Sequence, residues 1–292
     1  IKATGGSYSL IAGGSWNAWY LSNNPKWGRI LNGDTHIMVD GAEVGNIIGG
    51  HYQEDFNAVH EGDTYISVYT DTVKGFIVGS GTTNHLNTVT QNGDTHIFIY
   101  TPLSSDAAQN IPNQNKLVND VRGVVGASVK VANGSRSTAV LNGNTHITID
   151  IDNAAEGAQF NKIIVGGHYC WDGEYVETIN GSTYVTIDAE NVAFTQDGIA
   201  GSRQDFSNSS ISGSTNLSIK GGNFTTDGKT VYGSSVLEAA AGTLSVGSAN
   251  VAIEGGTIAR LVGGCYIGNS DEAAVNGSVG DIAVTITGGE VQ

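Results

Sequence analysis

Two aspartates close nearly identical phrases, Asn142-Gly-Asn-Thr-His-Ile-Thr-Ile-Asp150 and Asn180-Gly-Ser-Thr-Tyr-Val-Thr-Ile-Asp188. If the phrases are neighbouring parallel strands, equivalent side chains stand about 5 Å apart. That is near the separation of a retaining glycosidase's carboxylates, and close enough for two acids to share a proton as in acid proteases. Asp150 and Asp188 are therefore the candidate catalytic pair of a hydrolase. Two features weigh against it: Lys220 occupies the next equivalent place and offers Asp188 an ordinary ion pair, and no Asp-Thr-Gly or Asp-Ser-Gly phrase of the aspartic peptidases occurs. Asp152 could join Asp150 on a cation such as Ca2+, but nothing in the sequence supports one, and no cofactor is expected.

A second group follows paired glycines. Gly13-Gly14 leads to Trp16 and Trp19, Gly49-Gly50 to His51-Tyr52, and Gly166-Gly167 to His168-Tyr169-Cys170-Trp171-Asp172-Gly-Glu174-Tyr175. Aromatic faces beside hydroxyls and carboxylates suit a sugar ring, which needs an apolar platform and polar groups to orient its hydroxyls. Trp16, Trp19, Tyr52, His168, Tyr169, Trp171, Asp172, Glu174 and Tyr175 are accordingly the candidate ligand-binding residues. Trp16, Trp19 and Trp27 have a competing duty as a cap over the first coil. A nucleophilic Cys170 beside His168 lacks any nameable third group to orient the base. His36, His96 and His146 recur in a third set, which reads as a stacked ring ladder stabilising a sheet rather than as a metal site.

These readings presuppose elements that bring distant residues together. The phrase Asn-Gly-x-Thr-x-Ile-x-Ile recurs eight times, with its threonine position at Thr35, Thr64, Thr95, Thr145, Thr183, Thr215, Ala249 and Ile282, at steps of 29, 31, 50, 38, 32, 34 and 33 residues. Within each copy apolar residues alternate with polar ones, the period of a strand. A shorter apolar segment ending in Gly-Gly follows most copies, as in Asn46-Ile-Ile-Gly-Gly50 and Lys162-Ile-Ile-Val-Gly-Gly167. A unit of this size cannot bury its own apolar face, whereas stacking each strand on its equivalent in the next unit makes a continuous core. The expected fold is all-β, a right-handed parallel β-helix of about 8–9 coils with roughly 30 residues each, in one domain over 1–292. Propeller blades need about 40 to 50 residues, and a sandwich predicts no such in-register recurrence. The asparagine column before the strand, Asn32 to Asn180, reads as a turn with a hydrogen-bonded side-chain ladder. The segment 101–120, with two prolines and many Asn and Gln, reads as a loop insertion.

The phrase together with Gly-Gly-x-Val and an apolar Gly-Gly, clearest at 212–223 and 248–264, resembles the glycine-rich passenger repeats of bacterial autotransporter and adhesin-like surface proteins. That resemblance implies a secreted or surface-displayed right-handed β-helix, often involved in adhesion. Both ends cut through a coil, which is expected of a segment of a longer chain or of a chain closed by unusual caps.

Composition sets the outer bounds. The chain has 292 residues, 42 of them glycine and only 3 proline, and 39% are hydrophobic, enough for a sizeable core. Its 13 Lys and Arg against 28 Asp and Glu give a net charge of -15, which repels phosphate backbones and argues against nucleic acid. No apolar run is long enough for membrane insertion. Cys170 and Cys265 fall three units apart, about 14 Å by strand spacing, too far for a disulfide. The expected function is a surface or secreted module that binds glycan or mucin-like glycoprotein, with a hydrolase of polysaccharide or mucin as the alternative. The oligomeric state has no signature in the sequence.

Overall fold

The computed structural model describes residues 1–15, 29–52, 57–83, 88–103, 123–130, 137–170, 175–204, 208–226, 228–238, 242–268 and 275–292. They contain strands and turns and no helix. Every strand pair among them is parallel, and the rungs stack as a β-solenoid of about seven turns, roughly 34 residues apart. The excess over thirty residues comes from the long steps, His96 pairing with His146 and His146 with Tyr184.

The Thr-x-Ile phrases are the rungs of the largest sheet. Thr35 pairs with Thr64, Thr64 with Thr95, Thr95 with Thr145, Thr145 with Thr183 and Thr183 with Thr215, and the register continues through Ala249 to Ile282. Alternation then decides which side chains are buried. Ile37, Ile66, Ile97, Ile147, Val185, Leu217 and Val251 point inward as one column, and Val39, Val68, Ile99, Ile149, Ile187, Ile219 and Ile253 as another. Removing such side chains from water contributes about 1.5–3 kcal/mol each, and here every one covers the next along the solenoid.

The Gly-Gly segments form a second sheet, from Ser7–Ala12 and Glu43–Ile48 through Ile163–Val165 to Leu261–Val262. Its join to the first sheet explains why Thr and Gly recur together. Thr35 Oγ1 donates to Gly49 O at 2.9 Å, Thr95 to Gly126 O at 2.6 Å, Thr145 to Gly166 O at 2.6 Å and Thr215 to Gly233 O at 2.7 Å. A Cβ on Gly49 would collide with the Gly79 carbonyl and the Thr64 methyl, which explains glycine there, although Ala200 takes the equivalent place in a later coil and still accepts from Thr183 Oγ1 at 2.6 Å.

Two further sheets close the coil. One stacks the two residues beyond Gly-Gly, from Thr82–Thr83 through Tyr169–Cys170 to Tyr266–Ile267. The other runs from Gln159–Phe160 to Glu290–Val291 in the later coils and stacks Phe160, Phe194 and Phe224 with ring centroids 5.1 and 4.3 Å apart. A strand precedes each phrase as well. In the early coils it is separate, as at Ala58–Glu61 and Ser137–Asn142, and from Asn208–Ile219 onward it runs straight through the corner as one 12-residue strand. At that corner the expected side-chain ladder is present, with Asn92 Nδ2 donating to Glu61, Asn142 Nδ2 to Asn92 and Asn180 Nδ2 to Asn142 at 2.9, 2.7 and 2.7 Å. Cys170 and Cys265 are both free thiols. Most of the 101–120 insertion lies outside the described residues.

Candidate functional site

The outer surface of the largest sheet carries the chemistry-bearing side chains. One column runs His36, Tyr65, His96, His146, Tyr184, with successive ring centroids 4.7, 4.7, 4.7 and 4.8 Å apart and planes within 5° of parallel. This is the expected ring ladder, produced by in-register strands that place identical ring types at strand spacing. A second column reads Asp40, Tyr69, Tyr100, Asp150, Asp188, Lys220, and Tyr69 and Tyr100 stack at 4.7 Å. Tyr69, Tyr100 and Tyr184 are 45%, 39% and 38% exposed, so their hydroxyl edges face solvent. Partial burial, the Tyr69 ring and the charge of Asp150 together hold the Tyr100 phenol above its usual range.

A third column caps the turn before the rung. Asp34 Oδ1 accepts the Asp63 amide, Asp63 Oδ1 the Asp94 amide and Asp94 Oδ1 the Asn144 amide, at 2.9, 2.8 and 2.7 Å. Asn144 Oδ1 and Ser182 Oγ continue the pattern on the Ser182 and Ser214 amides. Each side chain thus satisfies a backbone donor one coil away, and each aspartate has a second oxygen for other contacts. Tyr65 uses that of Asp63, donating to Oδ2 at 3.1 Å. Desolvation of Tyr65 and the carboxylates of Asp63, Asp34 and Asp94 add to this bond in raising its phenol pKa. Asp94 Oδ2 instead faces His146 Nε2 at 3.8 Å, and Asp94, His96 and His146 form a group whose potential ligand atoms all lie within 4.8 Å.

Asp150 and Asp188 are paired in register at the ends of their rungs, Asp150 exposed and Asp188 half-buried. The ion pair expected between Lys220 and Asp188 does not form among the described residues, so Lys220 leaves Asp188 unpaired.

The corner beyond Gly-Gly differs from the sequence expectation. Trp16, Trp19, Trp171, Asp172 and Glu174 lie outside the described residues, as does Trp27. The four remaining candidates, Tyr52, His168, Tyr169 and Tyr175, are 1%, 0%, 1% and 1% exposed. All four side chains lie in the interior, and since His168, Tyr169 and Cys170 are consecutive and all buried, this segment is covered on both faces rather than alternating between core and solvent. His51 and His168 do the same job three coils apart. Each follows Gly-Gly, and each accepts an amide from the preceding coil at Nδ1, from Ser15 at 3.2 Å and from Ser128 at 3.1 Å. Serines take the place elsewhere: Ser202 Oγ accepts the His168 amide and Ser235 Oγ the Ser202 amide, both at 3.0 Å. Complete burial drives the His168 pKa down to about 4, so the ring is neutral at physiological pH. The same interior compartment holds Glu177, which accepts from Gln204 Nε2 and whose acid burial raises well above the usual range. The void lined by Asn46, Ile48, Tyr52, Phe76, Val78, Thr82 and Val129 is water-sized and apolar, so it holds no substrate.

Comparison with known proteins yields no matching family model, no matching curated protein and no matching solved structure.

Proposed function

We propose that the protein is a secreted or surface-displayed module that binds glycan or mucin-like glycoprotein, as an adhesin or structural element, through the outer face of its largest sheet. The observation that carries this reading is the pair of exposed columns, one of stacked imidazole and phenol rings and one of Tyr69, Tyr100, Asp40, Asp150 and Asp188. Stacked rings turn their edges to solvent, so the face is a comb of phenol hydroxyls, ring nitrogens and carboxylates repeating at 4.7 Å. Such a comb suits an extended chain of hydroxyls better than it suits a single buried sugar. The net charge of -15 favours neutral glycans over sulfated or sialylated ones. The resemblance of the repeats to autotransporter and adhesin-like passengers points the same way.

The in-register Asp150–Asp188 couple keeps a second reading, a hydrolase acting on polysaccharide or mucin glycoprotein. One experiment separates them. Purified protein is presented to an array of neutral and acidic glycans and to mucin, and the same ligands are assayed for cleavage at acidic and neutral pH. The binding reading expects neutral-glycan retention that falls five-fold or more in a Tyr69→Ala, Tyr100→Ala variant, with no cleavage. Retention unaffected there but lost in a Trp16→Ala, Trp19→Ala, Trp171→Ala variant moves the site off this face and overturns the reading. Cleavage that disappears in Asp150→Asn, Asp188→Asn establishes the hydrolase instead.

A further inference from the structure

We propose that Asp94, His96 and His146 form a binding site for a first-row divalent transition metal such as Zn2+, on the outer face and independent of any glycan. Stacking accounts for the parallel rings of His96 and His146, 4.7 Å apart, and the Asn144 amide holds Asp94 Oδ1, which places Asp94 Oδ2 towards His146 Nε2. Asp94 Oδ2 stands 3.8 Å from His146 Nε2, too far for a hydrogen bond. Two donors bound to one zinc ion at about 2.1 Å lie roughly 3.4 Å apart in a tetrahedron and at most about 4.2 Å. The Asp94–His146 gap falls inside that window, and the widest separation in the trio, within 4.8 Å, requires the two stacked rings to turn out of parallel so that both lone pairs reach one ion.

The surroundings are those of a prepared ligand set. Asp94 is held by Asn144, whose backbone amide donates to Oδ1 at 2.7 Å and whose side-chain amide reaches Oδ1 at 3.3 Å and Oδ2 at 3.4 Å, so its carboxylate is oriented before any ion arrives. No hydrogen bond engages a ring nitrogen of His96 or His146 among the described residues. Nitrogen and carboxylate donors are the set that zinc and copper accept, whereas calcium and magnesium take oxygens. Three protein donors on a half-exposed face leave a position open to water or to a ligand group. His36 belongs to the same ladder but is separated by Tyr65, which makes it an internal control.

The test titrates the whole 292-residue protein with ZnCl2 by calorimetry in a non-chelating buffer at neutral pH. One equivalent should bind with a Kd in the micromolar range. His96→Gln and His146→Gln should each weaken binding at least ten-fold, Asp94→Asn should weaken it several-fold, and His36→Gln should leave it unchanged. X-ray absorption of the zinc-loaded protein should show two imidazole nitrogens, a reading that needs no variant to fold. No saturable binding below about 1 mM, undiminished binding in the His96→Gln, His146→Gln double variant, or a shell containing sulfur or only oxygen each overturns the proposal.

Discussion

Histidine and tyrosine line up twice in this molecule, and the two alignments do opposite things. On the outer face of the Thr-x-Ile sheet, His36, Tyr65, His96, His146 and Tyr184 stack in solvent, with their edges free to meet a ligand or an ion. Beyond the paired glycines, His51-Tyr52 and His168-Tyr169 lie in the interior, where the imidazoles take backbone amides and the phenols fill the core. Composition is the same in both; the Thr-x-Ile rungs alternate and leave one face open, whereas beyond Gly-Gly consecutive residues are buried on both faces. A column in a solenoid therefore has a role only once it is known whether its side chains face solvent or core.

The sharpest way to test that contrast is to truncate one tyrosine from each region. Tyr169→Ala opens a cavity in the core and should cost about 3–5 kcal/mol, whereas Tyr184→Ala, at the end of an exposed ladder, should cost less than about 1 kcal/mol. Urea unfolding of the two variants beside the parent measures both, and equal losses would erase the distinction.

Acid should separate the regions next. The folded pKa of His168 is about 4, below the ordinary 6.5 of the unfolded chain, so the unfolded state takes the proton first. The stability contributed is complete above pH 6.5 and declines as pH falls towards 4, by as much as about 3 kcal/mol. Burial of Glu177 acts in the reverse sense: its folded pKa is raised, so its share is complete at acid pH and is lost as pH rises above the usual carboxylate range. The difference between parent and His168→Gln unfolding curves across pH 4–7 isolates the histidine. A flat difference would contradict the buried assignment.

The smallest effects concern the corners. Thr145→Val removes the hydroxyl bond to Gly166 O inside the coil and should cost about 1–2 kcal/mol. Asn142→Ala interrupts the exposed asparagine ladder and should cost about 0.5 kcal/mol or less. Thermal melts of the two variants, compared at the same pH, check the order.

Much of this architecture was legible because one signal, the Thr-x-Ile phrase, carries both strand period and register. Aligning Thr35 with Thr64 and onward predicts every pairing between the Thr-x-Ile rungs, including the one across the longest step. The Gly-Gly segments were legible for a related reason, since the close backbone approach to threonine leaves little room for a side chain and glycine recurs there. What escaped was built from pairs of residues too short to show a period, such as the Phe160, Phe194 and Phe224 strands. Burial beyond Gly-Gly escaped because His-Tyr looks like a binding loop in isolation. The available signal was the column itself, in which His168 aligns with Ser128, Ser202 and Ser235, a series of small hydrogen-bonding residues that suits a seam between coils. Asp94 was overlooked because it lies in the turn, two residues ahead of His96, and only the shared coil brings it to His146.

The unequal steps of the solenoid have an evolutionary corollary. Twenty-nine residues carry the chain from Thr35 to Thr64 and fifty from Thr95 to Thr145, yet both journeys end on the same rung position. Circumference and stacking are thus separate inheritances: selection can lengthen an excursion on one coil, and try new surface there, while the rungs above and below keep their grip unaltered.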